Sequence, residues 1–208
     1  MYAQTFSVTL QYLQTPSLTQ TPQGLVIFLH GWGANARDLY PLAEELNLPQ
    51  YYFLFPDAPF PHPRVPGGLM WYDLEFPDHQ QLESSHETLK AWLISMGSQF
   101  NVPLEKIVLA GFSQGGAMTL NVGFSLPLAG LICLSGYLHA ETQIIHKLPL
   151  LLMHGRFDRS VPLEKGQQAC QQLQEEGIDI TYAEFDMAHQ VIPEELDRVQ
   201  QFLVQCLQ

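Results

Sequence analysis

The chain has 208 residues, a size that fits one domain whose core can stand without disulfides or metals. Charged residues make up 14% and the net charge is −12 with only nine lysines and arginines, which argues against nucleic acid or an anionic membrane surface as the main partner. Cys133, Cys170 and Cys206 form an odd, scattered set suited to reduced thiols, the N-terminus has no signal-peptide pattern, and no apolar run reaches the ~20 residues of a membrane span, so a cytoplasmic protein without stable membrane insertion is expected.

Residues 5–13 alternate and predict a strand, and after a polar connection Leu25 to Leu29 is a continuous apolar run suited to a strand buried on both faces. It runs into His30-Gly31-Trp32-Gly33-Ala34-Asn35, a glycine-rich loop, after which Asp38 starts a helix through Leu46. Tyr51 to Phe55 reads as a strand. Residues 56–78 then hold six prolines and Gly67-Gly68, too many for regular structure. A long ordered loop of this kind reads as a lid or binding loop, here one wall of a site. Leu82 to Phe100 is the longest helix candidate, with Leu82, Leu89, Leu93 and Met96 near one stripe.

Lys106 to Ala110 predicts a strand and Gln114 to Leu126 a helix, joined through Gly111-Phe112-Ser113-Gln114-Gly115. This G-x-S-x-G pattern is that of a nucleophile elbow, a sharp strand-to-helix turn that leaves the serine oxygen exposed. Further strands are predicted over Leu128–Ser135, Leu148–His154 and Ile178–Phe185. Helices are predicted over Pro162–Glu176, closed by Gly177, and over Pro193–Cys206. Strands alternating with helices predict an α/β fold around a mostly parallel sheet, with residues 1–208 as one domain. In such sheets ligands sit at the carboxyl ends of the strands.

A serine hydroxyl needs a base, and the base needs an acid that fixes its tautomer. In this fold class the chain order is Ser, acid, His. Of the histidines after Ser113, only His189 has an aspartate in the required interval. Glu141 ahead of His146 or His154 is a formal alternative, but it lies in a polar connection. For His189 the acid is Asp158, Asp179 or Asp186. Asp179 lies at the amino end of its strand. Asp158 follows the carboxyl end of 148–154 and is preferred, with Asp186 in reserve. The oxyanion of a tetrahedral intermediate needs two backbone N–H donors, one from Gln114 and one from the loop His30 to Gly33. His30 is read as structural, holding its own loop, and His154 as a strand-end residue. No H-E-x-x-H and no cysteine cluster points to metal, and no cofactor is expected. Trp71 and Phe112 fit packing better than substrate contact, whereas Trp32 fits either.

Phe28-Leu29-His30-Gly31-Trp32-Gly33, Pro56-Asp57-Ala58-Pro59, Trp71-Tyr72-Asp73, Gly111-Phe112-Ser113-Gln114-Gly115-Gly116, His154-Gly155-Arg156-Phe157-Asp158 and His189 together resemble the phospholipase/carboxylesterase family, bacterial carboxylesterases and acyl-protein thioesterases among them. The resemblance implies an α/β-hydrolase without a cap domain. It implies the triad Ser113, Asp158 and His189, oxyanion donors at Trp32 and Gln114, an acyl ester or thioester as substrate, and a homodimer as a candidate state. Trp32, Met70, Trp71, Ser160 and Val161 are the candidate substrate contacts. The chain departs from the family in Ala188 before His189, in Val65-Pro66-Gly67-Gly68 where Asn-Gly-Gly is common, and in Arg159-Ser160 where proline and an apolar residue often stand. The last departure edges the acyl pocket and bears on substrate choice. The function implied is a serine carboxylesterase for short to medium acyl esters, with acyl-protein thioesterase or lysophospholipase activity as alternatives. A non-catalytic hydrolase-fold binding protein is the alternative of another class. A dienelactone-hydrolase-like enzyme fits less well, because that group usually carries cysteine where Ser113 stands.

Overall fold

The computed structural model describes residues 9–15, 22–75, 79–140 and 142–208. Its organising layer is a seven-stranded sheet in the order β1-β3-β2-β6-β7-β8-β9. The strands are β1 (Tyr12–Gln14), β2 (Leu25–Leu29), β3 (Tyr52–Pro56), β6 (Ile107–Phe112), β7 (Gly130–Leu134), β8 (Leu150–Gly155) and β9 (Ile180–Phe185). All pairings are parallel except that of β1 with β3. A separate two-stranded antiparallel hairpin pairs β4 (Phe60–Pro61) with β5 (Leu69–Met70).

The apolar runs read from the sequence form doubly covered strands. In β2, Leu25, Ile27 and Leu29 join the apolar cluster on one face and Val26 and Phe28 the cluster on the other. Ile107 and Leu109 of β6 divide from Val108 and Ala110 in the same way. Alternation of period two sends successive side chains to opposite faces, so a strand covered on both must be apolar throughout. Helices α3 (His79–Phe100), α4 (Gln114–Gly123) and α5 (Leu163–Glu175) cover the first face through Trp92, Met118 and Leu173. Helices α1 (Ala36–Leu39), α2 (Leu42–Leu46) and α6 (Pro193–Leu207) cover the second through Leu39, Leu46 and Phe202.

Three expectations change in detail. The helix expected over Asp38–Leu46 is two short helices, because Pro41 brings no N–H and its ring opposes a continuous helix. The N-terminal strand is Tyr12–Gln14, and residues 5–8 of the expected strand lie outside the described residues. The proline-rich stretch is not irregular throughout, since it contains the β4–β5 hairpin. Among the described residues no helix is long and apolar enough to cross a membrane.

Strand order places the site. The chain steps from β2 to β3 on one side and from β6 to β7 and β8 on the other, so successive strands run in opposite directions away from the β2–β6 boundary. Loops leaving the carboxyl ends of β2 and β6 therefore diverge and leave a crevice between them. The loop after β2 carries His30 to Gly33, and the turn after β6 carries Ser113.

Candidate active site

Ser113 joins β6 to α4 with φ 57° and ψ −120°, a backbone conformation that costs on the order of 1–3 kcal/mol for a residue with a side chain. Its neighbours hold it there. A Cβ at Gly111 would overlap the carbonyl oxygen of Gly115, and a Cβ at Gly115 would overlap that of Leu29, so strand and helix close only with glycine at both places. The Ser113 N–H donates to the Leu134 carbonyl at 2.8 Å, which ties the turn to β7.

Ser113 Oγ lies 2.9 Å from His189 Nε2, and His189 Nδ1 lies 2.7 Å from Asp158 Oδ2. A carboxylate accepts, so the network assigns the imidazole proton to Nδ1 and leaves Nε2 to accept from the serine hydroxyl. The other Asp158 oxygen accepts from the N–H groups of Ser160 and Val161, each at 2.9 Å. Burial acts to raise the pKa of Asp158, but the hydrogen bonds from His189, Val161 and Ser160 and the His189 charge outweigh it and hold the carboxyl below its ordinary range. Asp186, the reserve acid, is turned away to Arg156 Nη1 at 2.6 Å. Of the two aspartates, Asp158 is the one that meets His189. The Phe112 ring lies against His189 with centroids 4.7 Å apart, a packing role for that aromatic.

The loop after β2 is braced from three sides. His30 is fully buried. Its Nδ1–H donates to the Gly31 carbonyl at 2.8 Å and its Nε2 accepts from the Ala58 N–H at 3.0 Å. Burial lowers the His30 pKa, and both contacts suit a neutral ring with the proton on Nδ1. Asp57 accepts from the Ala36 N–H at 2.8 Å and so anchors the start of α1. The Gly33 N–H donates to the Leu69 carbonyl and the Leu69 N–H to the Ala34 carbonyl, both at 2.8 Å, which joins the loop to the hairpin. The backbone N–H groups of Trp32 and Gln114 meet no protein acceptor among the described residues. Both residues line a cavity of about 650 Å³ that opens over Ser113 and His189. That volume falls within the range of small-molecule sites.

Residues 11–207 match the phospholipase/carboxylesterase family. This chain belongs to that family. The membership makes it a serine hydrolase of the carboxylic-ester type. It is 29% identical over 208 residues to acyl-protein thioesterase 1 homolog 1 of Dictyostelium discoideum, covering 90% of this chain and 92% of that protein. It is 28% identical to acyl-protein thioesterase 1 of Saccharomyces cerevisiae, covering 94% of this chain and 98% of that one. Among solved structures, esterase PE8 superposes with a TM-score of 0.88 at 31% identity over 95% of this chain and 99% of its own.

Against the family pattern, the remaining expected site residues divide. Ser160 and Val161 line the cavity, as does Trp32. Met70 and Trp71 do not. Trp71 is fully buried, its indole N–H donates to the His30 carbonyl at 3.0 Å, and its backbone N–H donates to Gln114 Oε1 at 3.0 Å. The expectation that these two touch substrate is corrected: both are buried away from the cavity wall, and Trp71 braces the loop after β2 through the His30 carbonyl. The proline-rich segment reaches the cavity through Leu74. His154 is also scaffold. It is fully buried and its Nε2 lies 2.8 Å from the Val161 carbonyl, which fixes the turn that carries Asp158.

Sequence reasoning passed over the amide of Gln114, whose Nε2 donates to the Tyr72 carbonyl at 2.7 Å while Oε1 serves Trp71. It also passed over Tyr137, Pro162 and Lys165 on the cavity wall. Tyr137 follows the carboxyl end of β7, so the strand-end rule could have raised it. Its hydroxyl lies 2.6 Å from that of Tyr72, which in turn meets His139 Nε2 at 2.8 Å. Burial pushes both phenol pKa values up, so the pair is neutral. Among the described residues no group of three or more metal-ligating side chains forms.

Proposed function

We propose that Ser113, His189 and Asp158 are a catalytic triad hydrolysing short to medium acyl esters, with the whole chain acting as one hydrolase domain in the cytoplasm. The observation that carries this reading is the unbroken hydrogen-bonded run from Ser113 Oγ through His189 to Asp158, on the floor of a cavity with two backbone N–H groups left over. His189 takes the serine proton as Oγ attacks the ester carbonyl, and Asp158 stabilises the imidazolium without accepting a proton. The Trp32 and Gln114 N–H groups stabilise the oxyanion. Each such donor is worth on the order of 10²–10³ in turnover. His189 then protonates the leaving alcohol, and water, activated by the same imidazole, releases the acyl group.

A second reading, acyl-thioester hydrolysis, is favoured by the names of the Dictyostelium and yeast relatives, and the family name adds phospholipids, of which a lysophospholipid is the simplest to test. The same geometry serves all three, because each passes through an acyl-serine. The test has two stages. Purified protein is first treated with a fluorophosphonate probe, which should label the wild type and leave Ser113→Ala unlabelled. Equal labelling of both, or of neither, would show a hydrolase fold without this nucleophile. Next, para-nitrophenyl esters of increasing chain length are compared with an acyl thioester and a lysophospholipid. The highest kcat/KM on the esters supports the carboxylesterase reading, and a thioester preference transfers it to the second.

A further inference from the structure

The cavity over Ser113 is one-sided in charge. The chain carries 21 aspartates and glutamates against nine lysines and arginines, yet among the described residues no acidic side chain reaches the lining, and Lys165 does. The catalytic carboxylate is no exception. Asp158 lies beneath the wall, its side chain fully buried and both oxygens occupied by His189 and the N–H groups of Ser160 and Val161. In a chain with more than two acids per base, a lining whose described residues include a lysine and no acid runs against the composition.

Lys165 is exposed and has no carboxylate partner among the described residues, whereas Arg64 pairs with Glu75 and Arg156 holds both Glu184 and Asp186. It stands in the first turn of α5, where a cation works against the helix dipole, so helix stability does not account for its position. The rest of its wall is Ser160, Val161 and Pro162, a hydroxyl beside two apolar residues. Such a wall offers an apolar path ending in one positive charge.

We infer that the substrate is an anionic ester, one whose acyl or alcohol half ends in a carboxylate, and that Lys165 Nζ meets this carboxylate at the cavity wall. The inference rests on the hydrolase reading of Ser113 and narrows it to a substrate class. Lysine suits the role as a point charge on a flexible stem, able to follow a mobile chain end. Because the contact is exposed, its effect is modest and sensitive to salt.

The test uses matched pairs of substrates. Para-nitrophenyl hexanoate is compared with the mono-para-nitrophenyl ester of adipic acid, which places the carboxylate in the acyl half. Phenyl acetate is compared with para-carboxyphenyl acetate, which places it in the alcohol half. The quantity read is the anionic-to-neutral ratio of kcat/KM, in wild type, Lys165→Gln and Lys165→Arg, which cancels intrinsic differences in ester reactivity. For at least one pair the ratio should fall about threefold to fivefold in Lys165→Gln. It should be retained in Lys165→Arg. In wild type it should fall between about 0.01 M and about 1 M salt, as the screening length shrinks from about 30 Å to about 3 Å. Equal ratios in wild type and Lys165→Gln for both pairs would overturn the inference while leaving the hydrolase reading standing. A protein that hydrolyses none of these esters and takes no fluorophosphonate label fails the hydrolase reading itself, and the anionic-substrate inference falls with it.

Discussion

Replacing Gln114 by methionine tests how the elbow and the hairpin segment are held together. The side chain is 1% exposed, and its amide bridges two backbone groups of one short stretch, accepting from Trp71 N–H at 3.0 Å and donating to the Tyr72 carbonyl at 2.7 Å. Methionine has similar length and volume but no comparable donor or acceptor. The variant therefore leaves one buried N–H and one buried carbonyl unpaired, at about 1–3 kcal/mol each, a loss of about 2–6 kcal/mol. For a chain of this size each kcal/mol lowers Tm by about 2–4 °C, so Tm should fall by at least about 4 °C. The backbone N–H of residue 114 survives the change. Turnover of a para-nitrophenyl ester should consequently fall by less than the on the order of 10²–10³ that follows loss of an oxyanion donor. Circular dichroism melts and initial rates on the same samples decide the matter. A Tm within about 1 °C of wild type would refute the bridge as a stabilising element. A thousandfold loss of kcat at unchanged Tm would place the side chain, not the backbone, at the reacting centre.

Other perturbations read other parts of the molecule. Gly115→Ala puts a methyl group against the Leu29 and His30 carbonyls, which are backbone and cannot step aside, so a stability loss above about 3 kcal/mol or insoluble protein is expected; a variant within about 1 kcal/mol of wild type in urea unfolding contradicts this packing. Burial pushes the Glu195 carboxyl from 4.5 up to about 8, so its contribution to stability is fully present below pH 4.5 and is lost as pH rises towards 8. Glu195→Gln should match wild type near pH 4.5 and exceed it by on the order of 1–3 kcal/mol near pH 7, and a difference that does not change with pH counts against the assignment. The buried neutral ring of His30 has the opposite sense: its pKa is depressed from 6.5, so its stabilisation is present above pH 6.5 and lost as pH falls below it, and wild type should lose more stability between pH 7 and pH 5 than His30→Asn does.

The sequence made most of this site legible because its parts are short and local. Gly111, Ser113 and Gly115 announce the elbow as a five-residue pattern, and chain order with the strand-end rule brings Asp158 and His189 to it. The scaffold was less legible for a physical reason. Gln114 and Trp71 are 43 residues apart, as their hydrogen bond is, and no periodicity reports such a pairing. Trp71 reads from the sequence as packing more readily than as substrate contact, and its hydrogen bond to the His30 carbonyl shows what it packs under. Lys165 lies on an amphipathic helix whose pattern says only that it is outside, and the cavity wall is a property of the assembled loops. Pro41 is visible in the sequence, yet the apolar spacing around it reads as one helix over Asp38–Leu46 where the structure has two.

The pairing of Gly33 and Ala34 with Leu69 lays the loop after β2 along the β4–β5 hairpin. Two separate segments of the chain are therefore tied together through their backbones. A change in the length or sequence of the hairpin that shifts Leu69 also displaces Trp32, so this half of the rim is closed to gradual variation. The half that follows Asp158 is held through backbone groups, the Ser160 and Val161 N–H groups by the carboxylate and the Val161 carbonyl by His154, so its side chains at Ser160, Pro162 and Lys165 are free to change. New substrates, whether reached by drift or by design, are to be sought on that side.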